Sequence, residues 1–211
     1  MIEVTQQINA VRREVGTRTL PAGEARTMAI IQSYDTTVED LWDACTSPDR
    51  IRRWFLPVSG DLHLGGRFQI EGNASGTIER CDPPTGFTAT WEYGGSVSWI
   101  EISLSPEAGG RARLELAHIG HIDDESWAEF GPGAIGIGWD MALMGLAIHL
   151  SSGEAADPEL VAAWQNSSDG RQFITLSSEC WRDASIAAGT EETSAGTAAG
   201  RCTAAYTGAA Q

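Results

Sequence analysis

The chain contains no lysine: all 14 of its basic residues are arginine. That absence excludes Schiff-base chemistry at a lysine amine and the phosphate-cradling lysine of a P-loop. Positive charge of any kind is scarce. Twenty-nine acidic residues leave a formal net charge of −15, which repels phosphate backbones and anionic lipid surfaces. Nucleic acid and membrane are therefore not expected as partners. No uninterrupted run of about 18 apolar residues occurs, so no membrane span is expected. The opening MIEVTQQINAVRREV lacks the apolar centre of a secretory signal. Cys45, Cys81, Cys180 and Cys202 form no CxxC pair, and reduced thiols in a cytoplasmic protein are the simplest expectation. No GxSxG, and no serine–histidine–acid or cysteine–histidine pairing identifiable by motif, is present, so no catalytic residue is assigned.

What the chain does have is apolar content: 42% hydrophobic residues and eight tryptophans in 211 residues. That is enough for one sizeable core with an appendage. The densest stretch is 36–55, TTVEDLWDACTSPDRIRRWF. Thr36 with Glu39, or Thr37 with Asp40, fits a capping box. Val38, Leu41, Trp42 and Cys45 follow at helical spacing. Ser47–Pro48 restarts the count as the opening of a second helix, with Ile51, Trp54 and Phe55 on its buried side. Such a short pair cannot bury itself and needs a sheet.

The sheet is legible on both sides of it. Residues 26–34 alternate as a strand partly covered on both faces, and short alternating runs follow at 67–71, 76–81, 87–93, 98–104 and 111–119. The turns DPPTG, YGGS and SPEAGG suit hairpins. Residues 133–150 are apolar nearly all round, the pattern of a buried helix, and Gly138 and Gly145 are spaced to share a face against the sheet. The expectation is an α+β fold, a curved antiparallel sheet holding one long helix. Three segments result: an N-terminal extension over 1–24, helical on Val4, Ile8, Val11 and Val15; a principal domain over 25–151; and a helical C-terminal appendage over 152–211.

Three constellations invite chemistry. Gly131-Pro-Gly-Ala-Ile-Gly136 is a literal GxGxxG, but no strand precedes it and no parallel strand follows, so a dinucleotide site is rejected. His118-Ile-Gly-His121-Ile-Asp-Asp-Glu125 holds metal-type ligands that are close only along the chain, and no metal or cofactor is assigned. His118 itself shares the apolar strand face with Leu114 and Leu116. It is either a core histidine with a satisfied partner or the polar handle of an apolar pocket. Arg50, Arg52 and Arg53 beside Trp54 form either a solvated helix face or a contact for a partner.

The combination of Val38, Leu41, Trp42, Thr46, Pro48, Ile51, Trp54 and Phe55 with the turn Gly65-Gly66-Arg67-Phe68 and the strand Thr90-Trp91-Glu92-Tyr93 resembles the START-like helix-grip superfamily (SRPBCC). Within it, the chain resembles the branch named after the activator of Hsp90 ATPase. The resemblance covers residues 25–151. It implies a START/Bet v 1-like fold with a hydrophobic cavity between the sheet and the long last helix. It also implies roles in binding a small apolar ligand, in polyketide-cyclase-like chemistry or in chaperone contact. The residues expected to line the pocket are Phe68, Phe87, Trp91, Leu114, Leu116 and His118 from the strands, and Trp139, Met141 and Leu143 from the helix. Non-enzymatic binding of a small hydrophobic or amphipathic molecule is the leading expectation. The alternatives are a cyclase or hydrolase using His118 with Glu92 or Asp123, and a contact with an Hsp90-type chaperone. The C-terminal appendage is expected to cover the cavity mouth or to pair with a second copy as a homodimer.

Overall fold

A computed structural model of the chain describes residues 3–208. Residues 1–2 and 209–211, the outer tips of the N-terminal extension and C-terminal segment, lie outside the described residues. The chain runs α1 (Val4–Asn9), β1 (Val11–Leu20), β2 (Gly23–Tyr34), α2 (Val38–Thr46), α3 (Pro48–Ile51) and β3 (Val58–Gly60). Five longer or paired strands follow: β4 (Arg67–Ile70), β5 (Ser75–Asp82), β6 (Gly86–Tyr93), β7 (Ser96–Glu107) and β8 (Arg111–Gly120). The last five elements are helices: α4 (Asp124–Phe130), α5 (Gly133–Ser152), α6 (Pro158–Gln165), α7 (Ser168–Ala187) and α8 (Glu192–Thr207). The eight strands make one curved antiparallel sheet in the order β1-β2-β8-β7-β6-β5-β4-β3. With the 20-residue helix α5 this is the α+β helix-grip fold.

The N-terminal extension is mostly not helical. Glu3 caps α1 by accepting the N–H groups of Thr5 and Gln6, but the helix ends after six residues and residues 11–20 are a strand. The expectation of a helix through Val15 fails for a simple reason. Val11 and Val15 are four apart, a spacing that places two residues on one face of a strand as well as of a helix. The run Thr17-Arg18-Thr19-Leu20 favours the strand. The other strand not foreseen, β3, is only three residues long.

The chain divides into two compact units, Met1–Ile30 with His121–Met141 and Asp157–Gln211 as the first, and Ile31–Gly120 with Ala142–Ala156 as the second. In the second unit, β7 and β8 pair along their length from Ser98↔Gly120 to Glu107↔Arg111, and α2 packs on both. Thr37 caps α2, its hydroxyl accepting from the N–H of Asp40 at 3.3 Å, while the Asp40 carboxylate accepts from the hydroxyl of Thr36 at 2.7 Å. Both expected hydroxyls are thus used, in one shared cap. The helix after Pro48 is a single turn with no buried residue. Trp54 lies beyond it and donates its Nε1–H to the carbonyl of Ala44 at 2.9 Å, tying the corner back to α2. Gly145 serves this corner and not the sheet: a Cβ there would lie 2.4 Å from the Trp54 carbonyl oxygen.

The first unit has its own interior. Val4, Ile8, Phe173, Ile174, Trp181, Ala195 and Ala198 are all buried, so the residues after 157 share a core with the N-terminal segment. Gly136, not Gly138, is the glycine that close packing requires here. A Cβ on Gly136 would fall 2.2 Å from Cε2 of Trp181, whereas Gly138 meets only the Tyr206 hydroxyl at 3.6 Å. The GxGxxG run is preceded by a helix, α4, and its last glycine makes room for an indole. Helix α5 is long and apolar enough to cross a membrane by length and mean hydropathy alone, although charge interrupts it. Its Asp140 is 1% exposed and ion-paired with Arg13 at 2.7 Å, the situation of a core helix.

Candidate functional site

The strand registers of the second unit collect most of the expected pocket residues on one sheet face. Phe68 sits opposite Gly76, Trp91 opposite Ser98 and Phe87 opposite Ile102. Leu116 is opposite Ile102, Leu114 opposite Leu104 and His118 opposite Ile100. Antiparallel partners project to the same side, so these residues share a surface. An aromatic row runs across it. The Phe68 and Trp91 rings lie 6.5 Å apart and the Trp91 and His118 rings 6.3 Å apart, the latter edge-on. Gly76 makes the row continuous, because a Cβ there would come within 2.8 Å of the Phe68 ring. Phe68, Leu114, Leu116 and His118 are buried, but Trp91 and Phe87 are only half-buried, Phe87 resting against Trp42 with ring centroids 6.3 Å apart. Leu143, 1% exposed, belongs to the same unit. Trp139 and Met141 belong to the first unit, where the Met141 sulfur accepts a hydrogen bond from Gln165.

His118 is the polar group of this face. Its Nε2 is 2.9 Å from the Ser98 hydroxyl, which lies 3.1 Å from the Trp91 carbonyl. A carbonyl only accepts, so the Ser98 proton points at Trp91, and the imidazole must donate from Nε2. Burial pushes the His118 pKa down from 6.5 to about 4, because charging the ring would desolvate an ion. The ring is neutral at pH 7, its tautomer set by a serine.

The acidic partners considered for His118 have other tasks. Glu92 alternates with Trp91 onto the opposite sheet face, where Arg67 grips its carboxylate at 2.9 and 3.2 Å and holds its pKa below the usual range. Asp123 caps α4 by accepting from the N–H of Ser126. The metal-type cluster is likewise dispersed among other partners. The Nδ1 of His121 hydrogen-bonds the carbonyl of Glu24, and Asp124 pairs with Arg26. Among the described residues no three His, Cys, Asp or Glu side chains converge on a metal-sized site.

The arginines beside Trp54 divide. Arg50 turns inward, donating to Asp40 and Asp43 at 3.0 and 2.9 Å and, from Nε, to the Nε2 of buried His149 at 2.9 Å. The Nδ1 of His149 is 3.1 Å from the carbonyl of Glu154. An arginine N–H can only donate and a carbonyl only accept, so His149 carries its proton on Nδ1. Arg52 and Arg53 remain exposed.

Two features gave no spacing signal in the sequence. One is the buried carboxylate of Asp140, which receives Arg13 in a two-point grip at 2.9 and 2.7 Å, the Ser177 hydroxyl at 2.6 Å and the Trp181 Nε1–H at 2.9 Å. The other is a cavity of about 530 Å³ in the first unit, bordered by Arg26, Trp127, Trp181 and Arg182. Residues 13, 140, 177 and 181, like 26, 127 and 182, come from separate parts of the chain, so no local pattern reveals them.

Comparison with known proteins places this architecture. The sequence model described as Activator of Hsp90 ATPase homolog 1-like protein matches residues 35–151, more than half of the chain. The chain belongs to this family. It is similar to CalU16 from Micromonospora echinospora. The crystal structure of that protein is 41% identical, with 80% of this chain and 98% of that one covered at a TM-score of 0.59. Its solution structure matches at 38% identity over 85% of this chain and 97% of that one, with a TM-score of 0.69. A more distant match is an HSP90 activator from Plasmodium falciparum, 19% identical over 61% of this chain and 96% of that one, TM-score 0.51, which shares the fold. No curated protein sequence matches the chain. Both CalU16 matches extend well beyond the 117 residues of the family match (35–151), so the likeness to CalU16 takes in much of the additional chain.

Proposed function

We propose that the protein binds a small, uncharged hydrophobic or amphipathic molecule on the sheet face of its second unit, without catalysing a reaction. The observation that carries this reading is the aromatic row Phe68–Trp91–His118 with Trp91 and Phe87 left half-buried. A largely apolar surface with one oriented polar group is the usual composition of a small-molecule site. His118, neutral at pH 7 with its proton on Nε2, gives that surface a polar group without charge, which suits a neutral hydroxyl on the ligand better than a carbonyl or an anion. Leu114, Leu116 and Leu143 supply the apolar floor. Catalysis through His118 has less support, since Glu92 is committed to Arg67 on the other face. A chaperone contact has only the exposed Arg52 and Arg53 to rest on.

The test is a titration of the protein with neutral probes, dodecanol and 9-hydroxymethylanthracene, followed by the Trp91 indole resonance and by melting temperature. Binding is expected to move the Trp91 signal and raise the melting temperature. His118→Leu is expected to weaken the hydroxylated probes by roughly five- to tenfold, the worth of one hydrogen bond. Saturation with no change at Trp91, or no thermal stabilisation by either probe, overturns the reading.

A further inference from the structure

The cavity of the first unit has a chemistry opposite to that of the sheet face. The protein as a whole carries 29 acidic residues against 14 arginines, yet this cavity is bordered by two arginines, Arg26 and Arg182, and a single carboxylate, Asp124. Its volume of about 530 Å³ lies in the range of small-molecule sites. Much of the wall is built from short residues, among them Ala128, Pro132, Gly133, Ala195 and Ala198. Two indoles, Trp127 and Trp181, also line it. Trp181 is fixed, 1% exposed and hydrogen-bonded to Asp140. The guanidinium carbon of Arg26 lies over the Trp127 ring, 4.6 Å from its centre, a cation–π contact that holds the cation at the wall.

Arg26 is not satisfied there. Its Nε is buried and has no hydrogen-bond partner among the described residues, a rare condition that calls for an acceptor. Its Nη2 meets Asp124, whose side chain is 97% exposed. Arg182 pairs with its sequence neighbour Asp183, itself 64% exposed. Surface pairs of this kind contribute little and exchange readily. The helix end that borders the cavity is not the source of attraction. Glu191 already accepts from the N–H groups of Thr193 and Ser194 at the start of α8, and its pKa is pulled down to about 2 by those bonds.

We propose that this cavity is a second binding site, which takes a flat organic carboxylate with its ring between the small-residue wall and the indoles and its carboxylate on Arg26 and Arg182. A planar carboxylate presents two acceptors to an arginine fork and can replace Asp124 on the terminal nitrogens of Arg26. The site is separate in residues and in ligand charge from the sheet-face site proposed above, and the two stand or fall independently.

The probes are salicylate and its uncharged counterpart salicylamide, titrated into the full chain with indole N–H resonances as the readout. Salicylate is expected to shift the Trp127 and Trp181 signals and leave Trp91 in place. Salicylamide is expected to bind at least about tenfold more weakly, the difference made by a charge-assisted hydrogen bond. Arg26→Gln and Arg182→Gln should each weaken salicylate by about tenfold. Arg201→Gln, whose arginine sits on α8 outside the lining and reaches the Glu129 carbonyl, should not. Arg182 is half-buried and paired only with the exposed Asp183, so its variant tests the site even where Arg26→Gln disturbs folding. Equal binding of acid and amide, an unchanged affinity in Arg182→Gln, or no Trp127 shift at millimolar salicylate overturns the proposal.

Discussion

His118 shows how a single residue can be read correctly for position and still be undecided for role. Strand alternation places it on the apolar face, and the structure adds a serine that sets its tautomer. Its depressed pKa has a thermodynamic consequence. The unfolded chain takes up a proton near pH 6.5 while the folded chain resists until about pH 4. Between those values the unfolded state binds more protons, so stability is full above the unfolded value and falls as the pH drops through this window. The expected size is at most about 3 kcal/mol for a single group. His118→Gln should flatten the slope of unfolding free energy between pH 6.5 and 4, as measured by urea titrations at several pH values. An unchanged slope would show that the ring is not the group responsible. Glu92 cannot partner His118, because it follows Trp91 on β6 and neighbours along a strand project to opposite faces.

At the scale of elements, hydrophobic spacing located most strands and the long helix to within a few residues. It failed at β1, where a four-residue repeat fits both periods, and at the helix after Pro48, which the corner compresses to one turn. The glycines of α5 carry a second lesson. Gly138 and Gly145 share a face by arithmetic, but what a helix glycine faces depends on a neighbour far along the chain. Gly136 faces Trp181. Gly136→Ala puts a methyl where the indole lies, and the buried Trp181 side chain is held in place by its hydrogen bond to Asp140. A loss of about 1–3 kcal/mol is expected, the usual cost of overpacking. Gly138→Ala, whose Cβ would make only an ordinary contact with the Tyr206 hydroxyl at 3.6 Å, is expected to be neutral or slightly stabilising, since alanine favours a helix. Chemical denaturation of the two variants side by side checks both signs.

For the whole molecule, the division into two units matters more than the segment boundaries read from the sequence. The expected appendage, 152–211, does not hold together as a segment: residues up to Ala156 go with the second unit and those from Asp157 on with the first. The latter pack with the N-terminal segment around a buried ion pair, Arg13–Asp140, whose side chains are 4% and 1% exposed. Breaking such a pair from one side leaves an uncompensated charge in the interior. Asp140→Ala is therefore expected to cost about 3–5 kcal/mol. Hydrogen exchange should show the loss in α1, α7 and α8 first. Replacing both partners, Arg13→Leu with Asp140→Leu, should recover most of it, because no charge is then stranded. If the single and double variants are equally destabilised, the ion pair is not what holds that interior.

The sequence by itself determined the composition-level exclusions, the α+β order of elements and the family likeness, because these depend on local periodicity, turn residues and charge counts. It also determined which side chains share the sheet face, since alternation is a local rule. Tertiary structure alone decided the rest. The partner of His118, the four-way grip on Asp140, the glycine beneath Trp181 and the arginine-bordered cavity each join residues from distant parts of the chain. Such meetings are fixed by how elements pack, and spacing along one element carries no record of them.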